Sequence, residues 1–120
     1  MKRRQVPQWG DVYWIDPNPV ARREMKYRGR FVVVTPREIN ALGIATTAPV
    51  TGGGGFARLT GLKVPITGHD TTGVAVCNQV RSFDIQARER AGTAKYIETL
   101  DPSIAEEIVA RVLSVIDPEI

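Results

Sequence analysis

Arg30-Phe31-Val32-Val33-Val34-Thr35 is the stretch on which the fold turns. Its continuous β-branched and aromatic run predicts a strand buried on both faces. Upstream, Gly10-Asp11-Val12-Tyr13-Trp14-Ile15-Asp16 has the same composition and is bounded by glycine and proline, so it predicts another strand. Asp16-Pro17-Asn18-Pro19 ends it, because two prolines remove donors and fix φ. A charged loop follows from Val20 to about Gly29. Downstream, Pro36 to Leu42 predicts a turn or short helix, and 44–51 a third strand. Residues 61–66 alternate and predict a fourth strand, placed at a sheet edge by Pro65. Thr67 to Thr72 predicts a hairpin loop, Gly73 to Asn78 a fifth strand, and Gln79 to Asp84 its extension or a sixth. Beyond Asp101 the period changes. Ile104, Ile108, Val112 and Val115 recur at helical spacing, which predicts an amphipathic helix over 102–116, with Pro102 suited to its first position. Short strands followed by one packing helix indicate a single α+β domain over 1–120, mainly β. The architecture expected is a small antiparallel barrel closed by the terminal helix, since a barrel removes exposed edges from a short chain.

The 120 residues suffice for one core. No apolar run approaches the ~20 residues that span a bilayer, and no apolar segment follows the basic start Met1-Lys2-Arg3-Arg4, so a cytoplasmic protein is expected. A single cysteine, Cys77, excludes an intramolecular disulfide and sits in an apolar run that predicts a buried, inert thiol. The net charge of +3 conceals an asymmetry. Residues 1–37 hold nine cations against three anions, whereas 98–120 hold six anions against one cation. Twelve of the sixteen cations are arginine, the side chain suited to bidentate phosphate contact and base stacking. A basic N-terminal third points to a polyanion or an acidic partner. For any one arginine a solvated surface is the simpler account, but the cluster argues against it.

One His and one Cys, with no H-x-E or C-x-x-C spacing, give little basis for metal chemistry, and no cofactor is expected. No Lys-Ser/Thr pair follows the glycines of 52–55, so they are not a nucleotide-binding P-loop. Ala48-Pro49-Val50-Thr51 leads into those four glycines, and Phe56-Ala57-Arg58 follows. Ordering four glycines is entropically costly, which suits a hairpin loop or a close approach to a ligand. Phe56 and Arg58 offer a stacking face and a positive charge to a single-stranded nucleic acid. Arginines, one threonine and carboxylates suffice for RNA cleavage, in which the 2′-hydroxyl is the nucleophile and the protein aligns it, moves protons and stabilises phosphorane charge. Glu24 or Asp11 could serve as base, and Thr51 could donate to a phosphate oxygen.

Taken in order, several short pieces carry a resemblance. They are Gly10-Asp11-Val12 with Trp14, Asp16, Asn18-Pro19, Glu24, Val32-Val33-Val34-Thr35-Pro36 and Asn40. Then come Ala48-Pro49-Val50-Thr51, Gly53-Gly54, Phe56-Ala57-Arg58 and Gly73-Val74, and last Asn78-Gln79-Val80-Arg81, Asp84 and Ala87-Arg88. Together, from residue 10 to 88, the chain resembles the MazF/PemK (Kid) type II toxins, most closely the ChpB-like members. The resemblance implies an SH3-like, CcdB/MazF-like barrel with a C-terminal helix and a homodimer. It also implies metal-independent, sequence-specific cleavage of single-stranded RNA that leaves 2′,3′-cyclic phosphate and 5′-OH ends. The implied partner is a cognate antitoxin whose acidic C-terminal segment fills the RNA groove. The implied catalytic residues are Thr51, Arg30 or Arg28, and Glu24 as the base. Arg23, Lys26, Gly53, Gly54, Phe56, Arg58, Asn78, Gln79 and Arg81 are the implied RNA-binding residues. The family arginine precedes the second strand. Counting back from Asn40 without a gap reaches Gly29, a longer loop gives Arg30, and a shorter one Arg28. Arg30 is favoured because it abuts the strand. Arg23 replaces a family histidine and Asn78 a family aspartate. The alternatives are a non-enzymatic toxin of this fold that poisons DNA gyrase, and an RNA-binding module without turnover.

Overall fold

The computed structural model describes residues 5–17, 29–52 and 62–119. Its seven strands are β1 (Asp11–Ile15), β2 (Gly29–Val33), β3 (Ala45–Thr51), β4 (Lys63–Thr67), β5 (Thr72–Val76), β6 (Arg81–Phe83) and β7 (Ala94–Thr99). The helices are α1 (Arg37–Asn40), α2 (Ile85–Ala91) and α3 (Pro102–Ile116). All pairings are antiparallel, in the order β4-β5-β3-β2-β1-β7, with β6 also on β3. The expected α+β, mainly β architecture with a terminal helix is present, and Pro65 does sit on an edge strand. Closure differs from the expectation. The described strands follow an open path from β4 to β7.

The apolar run in β2 is buried on both sides as expected. Val32 belongs to a cluster with Val12, Ala48, Val64, Ile66, Ala75 and Ile108, the last from α3. Phe31 and Val33 belong to a second cluster with Tyr13, Ile15, Phe83 and Ile85, the last from α2. Alternate residues of one strand therefore feed two cores. Ala105, Ile108 and Val112 form the buried stripe of α3, as the helical spacing of apolar residues requires.

Two elements lie where the sequence reading assigned none. Asp84 caps α2 by accepting from the Ala87 amide at 3.0 Å, and Gly92 ends it in the left-handed conformation. β7 then pairs with β1 through a register shift between Val12 and Tyr13. At the shift Glu98 pairs with Val12, whose side chain faces the α3-covered core. The irregularity turns a carboxylate inward, and Glu98 is only 9% exposed.

Candidate active site

Arg30 is the second residue of β2 and pairs with Trp14. Its Nη1 donates to the Asp70 carbonyl at 2.5 Å and to the Thr71 hydroxyl at 2.8 Å. These acceptors lie in the turn between β4 and β5, which is closed by Gly68 N–H donating to the Thr71 carbonyl at 2.9 Å. The same turn is held from its other side by Glu98. The His69 and Asp70 amides donate to the two carboxylate oxygens at 2.8 and 3.0 Å, and the Thr71 hydroxyl and amide add further bonds. A Cβ on Gly68 would lie 2.8 and 2.9 Å from those oxygens, so any side chain there would push the carboxylate from its place. Burial acts to raise the pKa of Glu98. The bonds from Thr71, His69 and Asp70 outweigh it and hold the carboxyl below its ordinary range.

Thr51 ends β3 and pairs with Val74 of β5. Between Val74 and the turn lies Gly73, at φ +127°, where an added Cβ would come within 2.1 Å of the Thr51 carbonyl oxygen. The glycine–valine step of the sequence is thus the joint that lets β5 close on the hydroxyl-bearing end of β3. Thr51 and Arg30 consequently occupy the same end of the sheet. They do not share a face. Arg30 rises on the side of Val32, whereas Thr51 follows Pro49, the partner of the oppositely directed Phe31. The register that pairs Phe31 with Pro49, continued two residues, sets Gly29 across from Thr51. Thr71, where the guanidinium rests, lies just before β5, three residues ahead of Val74, roughly 10 Å at strand rise.

Arg81 pairs with Thr47, and its carbonyl accepts from the buried Thr47 hydroxyl at 2.9 Å. Its guanidinium stands 5.2 Å from the Phe83 ring centre, and that of Arg88 stands 5.1 Å away. Arg88 also donates to the carbonyls of Asp16 and Pro17, where the charged loop departs. Asn78 and Gln79 are exposed in the connection between β5 and β6. Asp11 is occupied structurally, accepting from the Gln8 amide at 2.9 Å and the Thr99 hydroxyl at 2.7 Å at the opposite end of β1 from Trp14. Its pKa is raised by burial, against those bonds and the Arg37 charge. Burial likewise pushes the Cys77 thiol up to about 11, which suits the inert role. Arg23, Glu24, Lys26, Arg28, Gly53, Gly54, Phe56 and Arg58 lie outside the described residues. Among the described residues, no group of three His, Cys, Asp or Glu is placed to hold a metal ion, and no helix is long and apolar enough to cross a membrane.

The sequence reading missed Glu98 and Thr71. Thr71 was visible only as one polar residue of a hairpin loop. Glu98 gave no signal, since a lone acid in an unassigned stretch looks like surface.

The profile of the family described as PemK-like, MazF-like toxin of type II toxin–antitoxin system matches residues 8–116. The chain is 34% identical over 120 residues to endoribonuclease toxin ChpB of Escherichia coli (strain K12), covering 98% of this chain and 100% of that one. It is 29% identical over 119 residues to endoribonuclease PemK of Escherichia coli, covering 97% and 86%. The MazE–MazF crystal structure (Form-II) from Deinococcus radiodurans superposes with a TM-score of 0.75 at 23% identity, over 94% of this chain and 97% of that one. That likeness establishes the fold.

Proposed function

Since the chain belongs to the PemK-like, MazF-like toxins of type II toxin–antitoxin systems, we propose that it is an endoribonuclease that arrests growth by cleaving messenger RNA. The observation that carries this reading is the end-to-end match to a relative named as an endoribonuclease toxin, covering 98% of one chain and 100% of the other. The chemistry proposed is attack of the RNA 2′-hydroxyl on the adjacent phosphorus, with Thr51 donating to a phosphate oxygen. A guanidinium, from Arg30 or Arg28, offsets the charge that develops. Glu24 is proposed to take the proton. Arg23, Lys26, Gly53, Gly54, Phe56, Arg58, Asn78, Gln79 and Arg81 are proposed to hold the flanking nucleotides. A homodimer working in the cytoplasm, and an antitoxin whose acidic segment competes with RNA, complete the proposal. The MazE–MazF complex supports the antitoxin part of it.

The test is incubation of purified protein with a long single-stranded RNA, with and without a chelator, followed by mapping of the ends. Cuts at a recurrent sequence in both samples, with cyclic phosphate and 5′-OH termini, are expected. Intact RNA together with inhibited gyrase supercoiling would replace this reading with the gyrase-poison one.

A further inference from the structure

Three observations converge on one corner of the sheet. A nearly buried carboxylate, Glu98, is turned inward by the register shift in β7. It is saturated by donors from a single turn, the amides of His69 and Asp70 and both groups of Thr71. The same Thr71 hydroxyl, on a residue 1% exposed, accepts from Arg30. A threonine hydroxyl has one proton and can accept as it donates. With the proton given to Glu98, its lone pair faces Nη1 of Arg30, and the chain of bonds runs from guanidinium to hydroxyl to carboxylate in one direction. Each bond polarises the next. The second acceptor of Arg30, the Asp70 carbonyl, belongs to the same peptide unit as the Thr71 amide, which also donates to the carboxylate.

We propose that Glu98 is a positioning residue: through Thr71 it fixes both the β4–β5 turn and the Arg30 guanidinium at the end of the sheet that carries Thr51. The clasp links β7 to the β4–β5 hairpin, the two margins that strand pairing leaves apart. It closes with side chains what the ladder leaves open. Glu98 touches no substrate in this scheme. It acts by limiting where the arginine and the turn can go. The kinetic consequence rests on the nuclease reading, whereas the structural one does not.

The test therefore has two arms on the intact protein. In the first, nitrogen-15 NMR at low temperature reads the arginine side chains. A guanidinium tied through Nη1 rotates slowly about Nε–Cζ and gives separate Nη proton signals, and those of Arg30 are identified by their loss in Arg30→Lys. They are expected to merge in Glu98→Gln and in Thr71→Val and to stay separate in Thr71→Ser. Separate signals in Glu98→Gln overturn the proposal, whether or not the protein cleaves RNA. In the second arm, Thr71→Val and Glu98→Gln are each expected to lower kcat on the order of 100-fold, the loss expected from a misplacement near 1 Å. KM should stay nearly unchanged and Thr71→Ser should restore the rate. The double variant should be no slower than either single one, as for residues acting through one path. Wild-type kcat in Thr71→Val, beside a cleaving wild-type protein, also overturns it. A wild-type protein that leaves RNA intact overturns the nuclease reading alone, and the NMR arm still decides the clasp.

Discussion

Replacing Gly73 by alanine should unfasten the end of β3 from β5, and the size of the effect can be worked out. Gly73 has φ +127°, a conformation that costs an L-residue roughly 1–3 kcal/mol. The added Cβ would stand 2.1 Å from the Thr51 carbonyl oxygen, against the 3.4 Å at which ordinary contact begins. The two must part by more than 1 Å. Neither can yield alone, because Thr51 is paired with Val74 and Val50 with Ala75. Losing one or two of those ladder bonds adds about 1 kcal/mol each. The sum is roughly 2–5 kcal/mol, a large part of the 5–15 kcal/mol typical of a domain. Gly92→Ala supplies the control. It also has positive φ, +84°, but no atom lies within 4 Å of its built Cβ, so it should lose only about 1 kcal/mol. Thermal and urea unfolding followed by circular dichroism would measure both, with Tm falling by roughly 4 °C per kcal/mol at this size. Equal losses in the two variants would show that the Thr51 carbonyl is not where it is placed, and the joint argued for the site would fail with it.

Four further outcomes are expected. Thr51→Ala should cut RNA cleavage by about 100-fold or more, the usual cost of losing one donor to a developing oxyanion, while the far-ultraviolet spectrum stays unchanged; cleavage at the wild-type rate would remove Thr51 from the site. Asn40→Ala should cost about 3 kcal/mol in urea unfolding. The Asn40 amide nitrogen donates to the Pro7 and Thr35 carbonyls, its oxygen accepts from the Thr35 hydroxyl, and the residue is 2% exposed. Acid should weaken the fold through Glu98. Because its folded pKa is depressed, its contribution is complete above about pH 4.3, the unfolded value, and is lost as pH falls through the folded one. Stability measured between roughly pH 5 and 3 should therefore fall less steeply in Glu98→Gln than in wild type. The raised pKa of Asp11 works in the opposite sense in both proteins, since protonation relieves its burial. Gly29→Arg has open space around its built Cβ and places a guanidinium on the face of Thr51, so cleavage should rise about tenfold or more; an unchanged rate would show that the face of the arginine is not limiting.

Which features were legible follows from how each is encoded. β2 was clear because both of its faces are apolar, and α3 because its buried stripe repeats at 3.6 residues. Pro65 announced an edge because a proline cannot donate to a ladder. β7 and α2 went unread for opposite reasons. β7 has a register shift that breaks its alternation, so Ile97 and Glu98 do not separate cleanly into inward and outward positions. α2 spans only seven residues, and its cap, Asp84, looked like the end of a strand. The open sheet was illegible because its margins are joined by a carboxylate and a turn that lie about thirty residues apart.

The sequence carried the order of the candidate residues along the strands and not their parity. Residue types and order brought Thr51, Arg30 and Gly73 to one end of the sheet. The face each takes depends on the count of residues before the strand, and a slip of one reverses it. Gly29 and Arg30 differ by that single step. The β2–β3 register, carried two residues beyond the Phe31–Pro49 pair, puts Gly29 on the face of Thr51, and Arg30 turns to the other side, where Thr71 and the Asp70 carbonyl receive it. A guanidinium on that side needs a partner to hold it at the end of the sheet where β3 finishes. The inward carboxylate of β7 is in the right place to be that partner. On this view the displaced arginine and the buried acid are one feature, and a change to either should be felt at the other.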